Sequence, residues 1–129
     1  AVASFIGGGL MDRYPKLRYG VLESGFGWLP FWSNRLDDQA IYVGYVAELK
    51  HKMSEYLTGG RFFASIEQHE GPHMTKHVND SMGDHILMFG SDYPSIPYDR
   101  LMKEWGELGY KEDVMEKIFH GNAERVLGL

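Results

Sequence analysis

The chain has 129 residues, 43% of them hydrophobic and 24% charged, with 13 basic side chains against 18 acidic ones and a formal net charge of −5. This is the composition of one ordinary soluble, globular domain, and the acidic balance without any basic block argues against nucleic acid or an anionic membrane as partner. There is no cysteine, so a disulfide framework and thiolate chemistry are excluded, and no apolar run approaches the roughly 20 residues that cross a bilayer.

The opening AVASFIGGGLMDRYP has no initiator Met and lacks the charged and apolar regions of a signal peptide. It reads as the last turns of a helix entered partway, in a chain expected to be a piece of something longer. Residues 17–22 (LRYGVL) form a short apolar strand, announced by Pro15 and ending at Glu23-Ser24-Gly25. Residues 28–52 are helical in pattern: Trp28, Phe31, Trp32 and Leu36 share one face at spacings of three and four, and Ile41, Tyr45 and Leu49 fall four apart. Gly44 is a weak point in that stretch.

Gly59-Gly60 is a breaker, and residues 61–66 (RFFASI) form a second strand ending at Glu67. Residues 75–82 suit a short helix, and residues 85–89 form a third strand ending at Gly90-Ser91-Asp92. Residues 99–108 are amphipathic, with Leu101, Met102, Trp105 and Leu108 inward and Gly109 as C-cap. Residues 111–119 set Val114 with Ile118 and Met115 with Phe119. A last short helix follows Asn122, a good N-cap.

Strands separated by helices imply parallel pairing through right-handed crossovers. Strands apolar almost throughout suit a sheet covered on both faces. The fold class is therefore α/β. All three strands end on an acid: Glu23, Glu67 and Asp92. A buried strand that ends on a carboxylate, as ILMFGSDYP does, needs a partner for the charge. In parallel α/β folds the C-terminal strand ends share the rim where sites are built. Three acids there suit a cation site or an acid/base site, or equally the caps of the helices that follow.

Four stretches in order carry a resemblance: RYPKLRYGVLESGFGWLPFWSNRLD, SEYLTGGRFFASIE, GDHILMFGSDYP and EKIFHGNAERVLGL. Together they resemble the C-terminal half of the amidohydrolase-related metal-dependent hydrolases, in the branch that includes aminocarboxymuconate-semialdehyde decarboxylase. The resemblance covers nearly the whole chain, and GSDYP followed some thirty residues later by GNA-x-R is its most specific pair.

The resemblance implies the C-terminal portion, about strands six to eight with their helices, of a (β/α)8 TIM barrel. Residues 1–129 would be part of one such domain, with its N-terminal half outside the chain. It also implies a divalent metal at the rim, zinc first and manganese second, with Asp92 as metal ligand or general base. Glu23 is a second acid/base or orienting candidate, since many relatives place a His where this chain has Glu23-Ser24. The family's His-x-His pair is absent, the six histidines being 51, 69, 73, 77, 85 and 120. The family's fifth-strand His would lie before Ala1, and Ser95 stands where many relatives carry a His. The implied activity is hydrolysis or nonoxidative decarboxylation of a small carboxylated or cyclic substrate. It would be cytoplasmic, in a homo-oligomer or with the remainder of the barrel. The alternative is a non-catalytic truncated half-barrel that serves as an assembly partner. A phosphate-binding module fits poorly, because Gly7-Gly8-Gly9 precedes a strand instead of following one.

Other residues read mainly as structural. Glu67, with Glu70 close behind, suits rim lining or loop anchoring. His69, His73 and His77 are expected in a surface loop, since Gly71-Pro72 breaks a helix between the first two, with the alternatives that His73 and His77 share one helical face and that the stretch contacts substrate or metal. Trp28 could wall a substrate pocket, and Trp32 suits helix core. Arg35 and Asp37 suit an ion pair fixing the long helix, and Arg125 suits a pairing with an acid that ties the last helix to the barrel.

Overall fold

The computed structural model of the chain describes residues 1–43, 48–66 and 68–129, with only the backbone described at residues 43 and 68. The strands β1 (Tyr19–Val21), β2 (Phe62–Ile66) and β3 (Leu87–Phe89) form one parallel sheet in the order β1-β2-β3. Its register pairs Val21 with Ala64 and Ala64 with Leu87. The parallel α/β expectation holds, with each strand shorter than its apolar run. Helices α1 (Val2–Gly7) and α2 (Leu10–Arg13) precede β1, and α3 (Leu29–Val43) and α4 (Met53–Thr58) link β1 to β2. Helix α5 (Gly71–Met82), after a 3-10 turn at Gln68–Glu70, links β2 to β3. After β3 come α6 (Tyr98–Glu107), α7 (Glu112–Glu116), a π-helical turn (Lys117–Gly121) and α8 (Asn122–Leu127). Among the described residues no helix is long and apolar enough to cross a membrane.

Side chains alternate across a strand. Phe62, Ala64 and Ile66 point into the helix-covered core and are fully buried. Phe63, on the other face, is only partly buried, and its ring lies over Gly20: a Cβ there would stand 2.3 Å from the ring carbons. Leu22, just past β1, is exposed. The face bearing Phe62, Ala64 and Ile66 is sealed by helices, and on the opposite face Ser65 is buried while Phe63 is partly exposed.

The long helix expected over residues 28–52 is also corrected. Its described part is Leu29–Val43, residues 44–47, with Gly44 and Tyr45, lie outside the described residues, residues 48–52 are not helical, and a separate helix begins at Met53. Its buried stripe runs through Leu29, Ser33 and Leu36, with Trp32 packed against the core. At about 100° per residue Phe31 falls about 200° from Leu29, and it is 68% exposed, with Ile41 at 79%. Asp37 does not pair with Arg35. It accepts hydrogen bonds from the Ser54 N–H (2.9 Å) and Ser54 Oγ (2.6 Å), fixing the start of α4.

The 69–77 stretch is not a loop. Pro72 occupies the first turn of α5, where its missing N–H costs nothing, and His73 and His77 lie exposed on that helix. Nor is Asn122 a helix cap. It is buried, and its Nδ2 donates to Asp84 O and Leu87 O at 2.8 Å each. Arg125 ties the last helix down as expected, but to backbone: it donates to Gly60 O (2.9 Å) and His85 O (2.6 Å), the residues that precede β2 and β3.

A polar clamp joins α2 to α4. Tyr56 Oη donates to Asp12 Oδ2 at 2.6 Å, and the Lys50 N–H donates to the same oxygen at 3.0 Å. The Tyr56 bond holds the Asp12 carboxyl below its ordinary value of 3.8. Burial first, and then Asp12, push the Tyr56 hydroxyl above its ordinary 10.0. A lowered carboxylate pKa contributes stability above the unfolded value and loses it as pH falls through the folded one. A raised tyrosine pKa contributes below the unfolded value and loses it as pH rises through the folded one. Tyr56→Phe is therefore expected to flatten stability on both sides, below about pH 4 and above about pH 10. Urea midpoints measured across pH check this, and parallel curves for parent and variant would refute it.

Candidate functional site

Because the strands run parallel and in register, their C-terminal ends share one rim. Glu23 stands two residues past β1 and Asp92 three past β3. Neighbouring strands lie about 4.8 Å apart, so the ends of β1 and β3 are about 10 Å apart across β2. Glu67, which follows β2, lies outside the described residues. Both described acids have left-handed backbone, φ 56 at Glu23 and φ 49 at Asp92. That region costs a non-glycine residue about 1–3 kcal/mol and clusters at functional turns.

The turn after β1 is held from several sides. The Glu23 N–H donates to Ser65 Oγ at 3.1 Å. The Trp28 indole N–H bonds Ser24 O (2.9 Å) and Gly25 O (3.0 Å). Glu70 Oε2 accepts the Phe26 N–H (3.0 Å) and Gly27 N–H (2.7 Å). Gly25, with φ 64, suits this left-handed turn, and a Cβ there would stand 2.7 Å from Glu70 Oε1 and displace that carboxylate. Glu70 thus anchors this loop, while Glu67, expected to line the rim or anchor a loop, lies outside the described residues. Trp28, expected to wall a substrate pocket, pins this turn by its indole. It lines a cavity of about 320 Å³ with Tyr19, Val21 and Trp32, on the helix side of β1.

The turn after β3 is built from its own backbone. Gly90 N–H reaches Ile66 O (3.3 Å), and a cis bond joins Tyr93 to Pro94. Asp92 O accepts from the Ser95 N–H (2.8 Å) and the Ile96 N–H (3.3 Å). The Asp92 carboxylate is exposed, and no described residue bonds to it. The next helix starts at Tyr98 with Pro97 ahead of it. The capping reading of Asp92 is therefore excluded, because its side chain satisfies no helix N–H.

The fit of a metal follows from these donors. Asp92 offers an exposed carboxylate with oxygens available, and hard divalent cations take such ligands. Among the described residues no three His, Asp or Glu side chains stand close enough together to hold an ion. Asp92 can therefore supply one ligand of a set completed by other groups. His73 and His77 are exposed on α5 and form no such set. A cavity of about 580 Å³ lies between α5 and α7 around Thr75, Asn79, Tyr110 and Val114, and neither rim acid lines it. Ser65 is the site residue that sequence reasoning missed. Its signal was a small polar side chain two positions before the strand's terminal acid, inside an otherwise apolar run.

A family model described as amidohydrolase matches residues 1–129. The fold is similar to 5-carboxyvanillate decarboxylase LigW from Sphingomonas paucimobilis, with a TM-score of 0.79 and 27% identity over 98% of this chain and 38% of that one. It is similar to the amidohydrolase map2389c from Mycobacterium avium subsp. paratuberculosis, with a TM-score of 0.79 and 24% identity over 98% and 32%. It is also similar to a dihydroxybenzoic acid decarboxylase from Polaromonas sp. carrying bound manganese, with a TM-score of 0.76 and 21% identity over 99% and 39%. The last two likenesses are of fold alone. The chain spans less than half the length of these structures, and its three-stranded parallel α/β unit matches a fragment of a TIM-barrel amidohydrolase. With the family model matching residues 1–129 and the fold in agreement, the chain belongs to the amidohydrolase family of enzymes.

Proposed function

We propose that residues 1–129 form the C-terminal part, about strands six to eight, of an amidohydrolase-type barrel. The full protein would be a metal-dependent nonoxidative decarboxylase or hydrolase of a small carboxylated or cyclic substrate. The observation that carries this reading is Asp92: a rim carboxylate on a left-handed turn, exposed and bonded by no described residue. The 27% identity to a carboxyvanillate decarboxylase supports decarboxylation over hydrolysis, and the manganese-bound relative supports a divalent cation of that kind, with zinc the alternative.

A divalent cation held in part by Asp92 would supply Lewis-acid polarisation of the substrate's oxygens. The chain's own residues do the rest. Asp92 offsets part of the cation's charge and fixes its place on the rim. Glu23, across β2, stands where an acid/base group can act. In decarboxylation the bond between the ring and the carboxyl carbon breaks, carbon dioxide leaves, and the electron pair stays on the ring carbon. That carbon takes a proton, and protonated Glu23 can give it. A cytoplasmic, homo-oligomeric enzyme completes the proposal.

The test uses the full-length protein, loaded with Mn²⁺ or Zn²⁺ and offered 5-carboxyvanillate and 2,6-dihydroxybenzoate, with carbon dioxide release measured. Release that stops on chelation and returns on adding metal is the expected result. A full-length protein that binds neither cation and releases nothing overturns it, and would favour the non-catalytic half-barrel.

A further inference from the structure

The central strand carries a buried polar residue that the chemistry above does not use. Ser65 is 4% exposed and faces away from Ala64 and Ile66. On one side its Oγ accepts the Glu23 N–H at 3.1 Å. On the other, a Cβ placed on Gly90 would stand 3.1 Å from Ser65 Cβ and 3.7 Å from its Oγ. One side chain therefore sits between the two turns that carry the rim acids, β1 on one flank and β3 on the other.

Both turns are left-handed at the acid, but the two acids differ in how well they suit that backbone. Aspartate has a short side chain that tolerates the region. Glutamate does not, and needs an outside contact to stay there. The bond from the Glu23 N–H to a buried oxygen is such a contact. An alanine at position 65 would lack the oxygen, and a side chain at position 90 would crowd Ser65. A serine hydroxyl accepts two hydrogen bonds and donates one.

We propose that Ser65 is a positioning residue of the rim: its oxygen fixes the left-handed turn at Glu23 and so sets where the Glu23 carboxylate stands relative to Asp92. The inference rests on the acid/base reading of Glu23 given above.

The experiment compares the full-length parent with Ser65→Ala, Ser65→Thr, Glu23→Gln and the Ser65→Ala/Glu23→Gln pair. Amide hydrogen exchange over residues 22–27 reads the Glu23 N–H directly. Ser65→Ala should speed it about tenfold, the loss of one net hydrogen bond, and Ser65→Thr, which keeps the oxygen, should restore the parent's protection. In carbon dioxide release, Ser65→Ala should lower kcat about tenfold with KM within about twofold. It should cost nothing further in the Glu23→Gln background, because coupled residues are not additive. Unchanged exchange in Ser65→Ala, or losses that multiply in the pair, overturn the proposal. If the parent binds no Mn²⁺ and turns over neither substrate, the functional reading falls, and the exchange comparison still decides the role of Ser65.

Discussion

Asp92→Asn in the full-length protein is expected to lower turnover by about 100-fold or more and to weaken metal binding by at least a comparable factor. Asparagine keeps the size of the side chain and its tolerance of φ 49. It removes the charge and one anionic oxygen. No described residue bonds to that carboxylate, so folding should lose little, within about 0.5 kcal/mol. Metal content by elemental analysis, carbon dioxide release and a urea melt separate the three quantities. Metal content and turnover equal to the parent's would remove Asp92 from the mechanism. A large loss of stability would mean that the carboxylate has a structural partner.

The largest effect on folding is expected at Trp105. It is 1% exposed and sits in an aromatic cluster. Tyr110 stacks on it with ring centroids 5.2 Å apart, and Phe89 and Phe119 meet it edge-on at 5.5 and 5.1 Å. Phe89 belongs to β3, so the cluster fastens α6 and the π-helical turn to the strand that aims Asp92. Trp105→Ala should cost about 3–5 kcal/mol, from lost burial plus the cavity left behind. Trp105→Phe should cost much less. The indole N–H it removes is buried with no hydrogen-bond partner among the described residues, so deleting it strands no described group. Denaturant midpoints of the two variants test the contrast, and equal losses would contradict it.

The parallel sheet was legible because three apolar runs alternate with amphipathic stretches, and burial leaves such runs few other arrangements. The strand-end positions of Glu23 and Asp92 were legible for the same reason: Glu23 follows directly on an apolar run, and Asp92 follows one after Gly90-Ser91. Phe31 was misplaced because spacings of three and four fit more than one stripe of a helix, and the choice rested on neighbours the sequence does not order. Asn122 was misread because good N-caps and good inter-element donors are the same residue type. The π turn at Lys117–Gly121 carries Asn122 past the point where a cap would sit, onto the carbonyls of Asp84 and Leu87. Ser65 was missed because its role depends on two strands distant in sequence, Glu23 lying 42 residues away.

The bonds from Arg125 to Gly60 and His85 span 65 and 40 residues of sequence. During synthesis those two carbonyls cannot gain these bonds until residue 125 has been made, so the bases of β2 and β3 are fastened to the last helix only at the end of the chain.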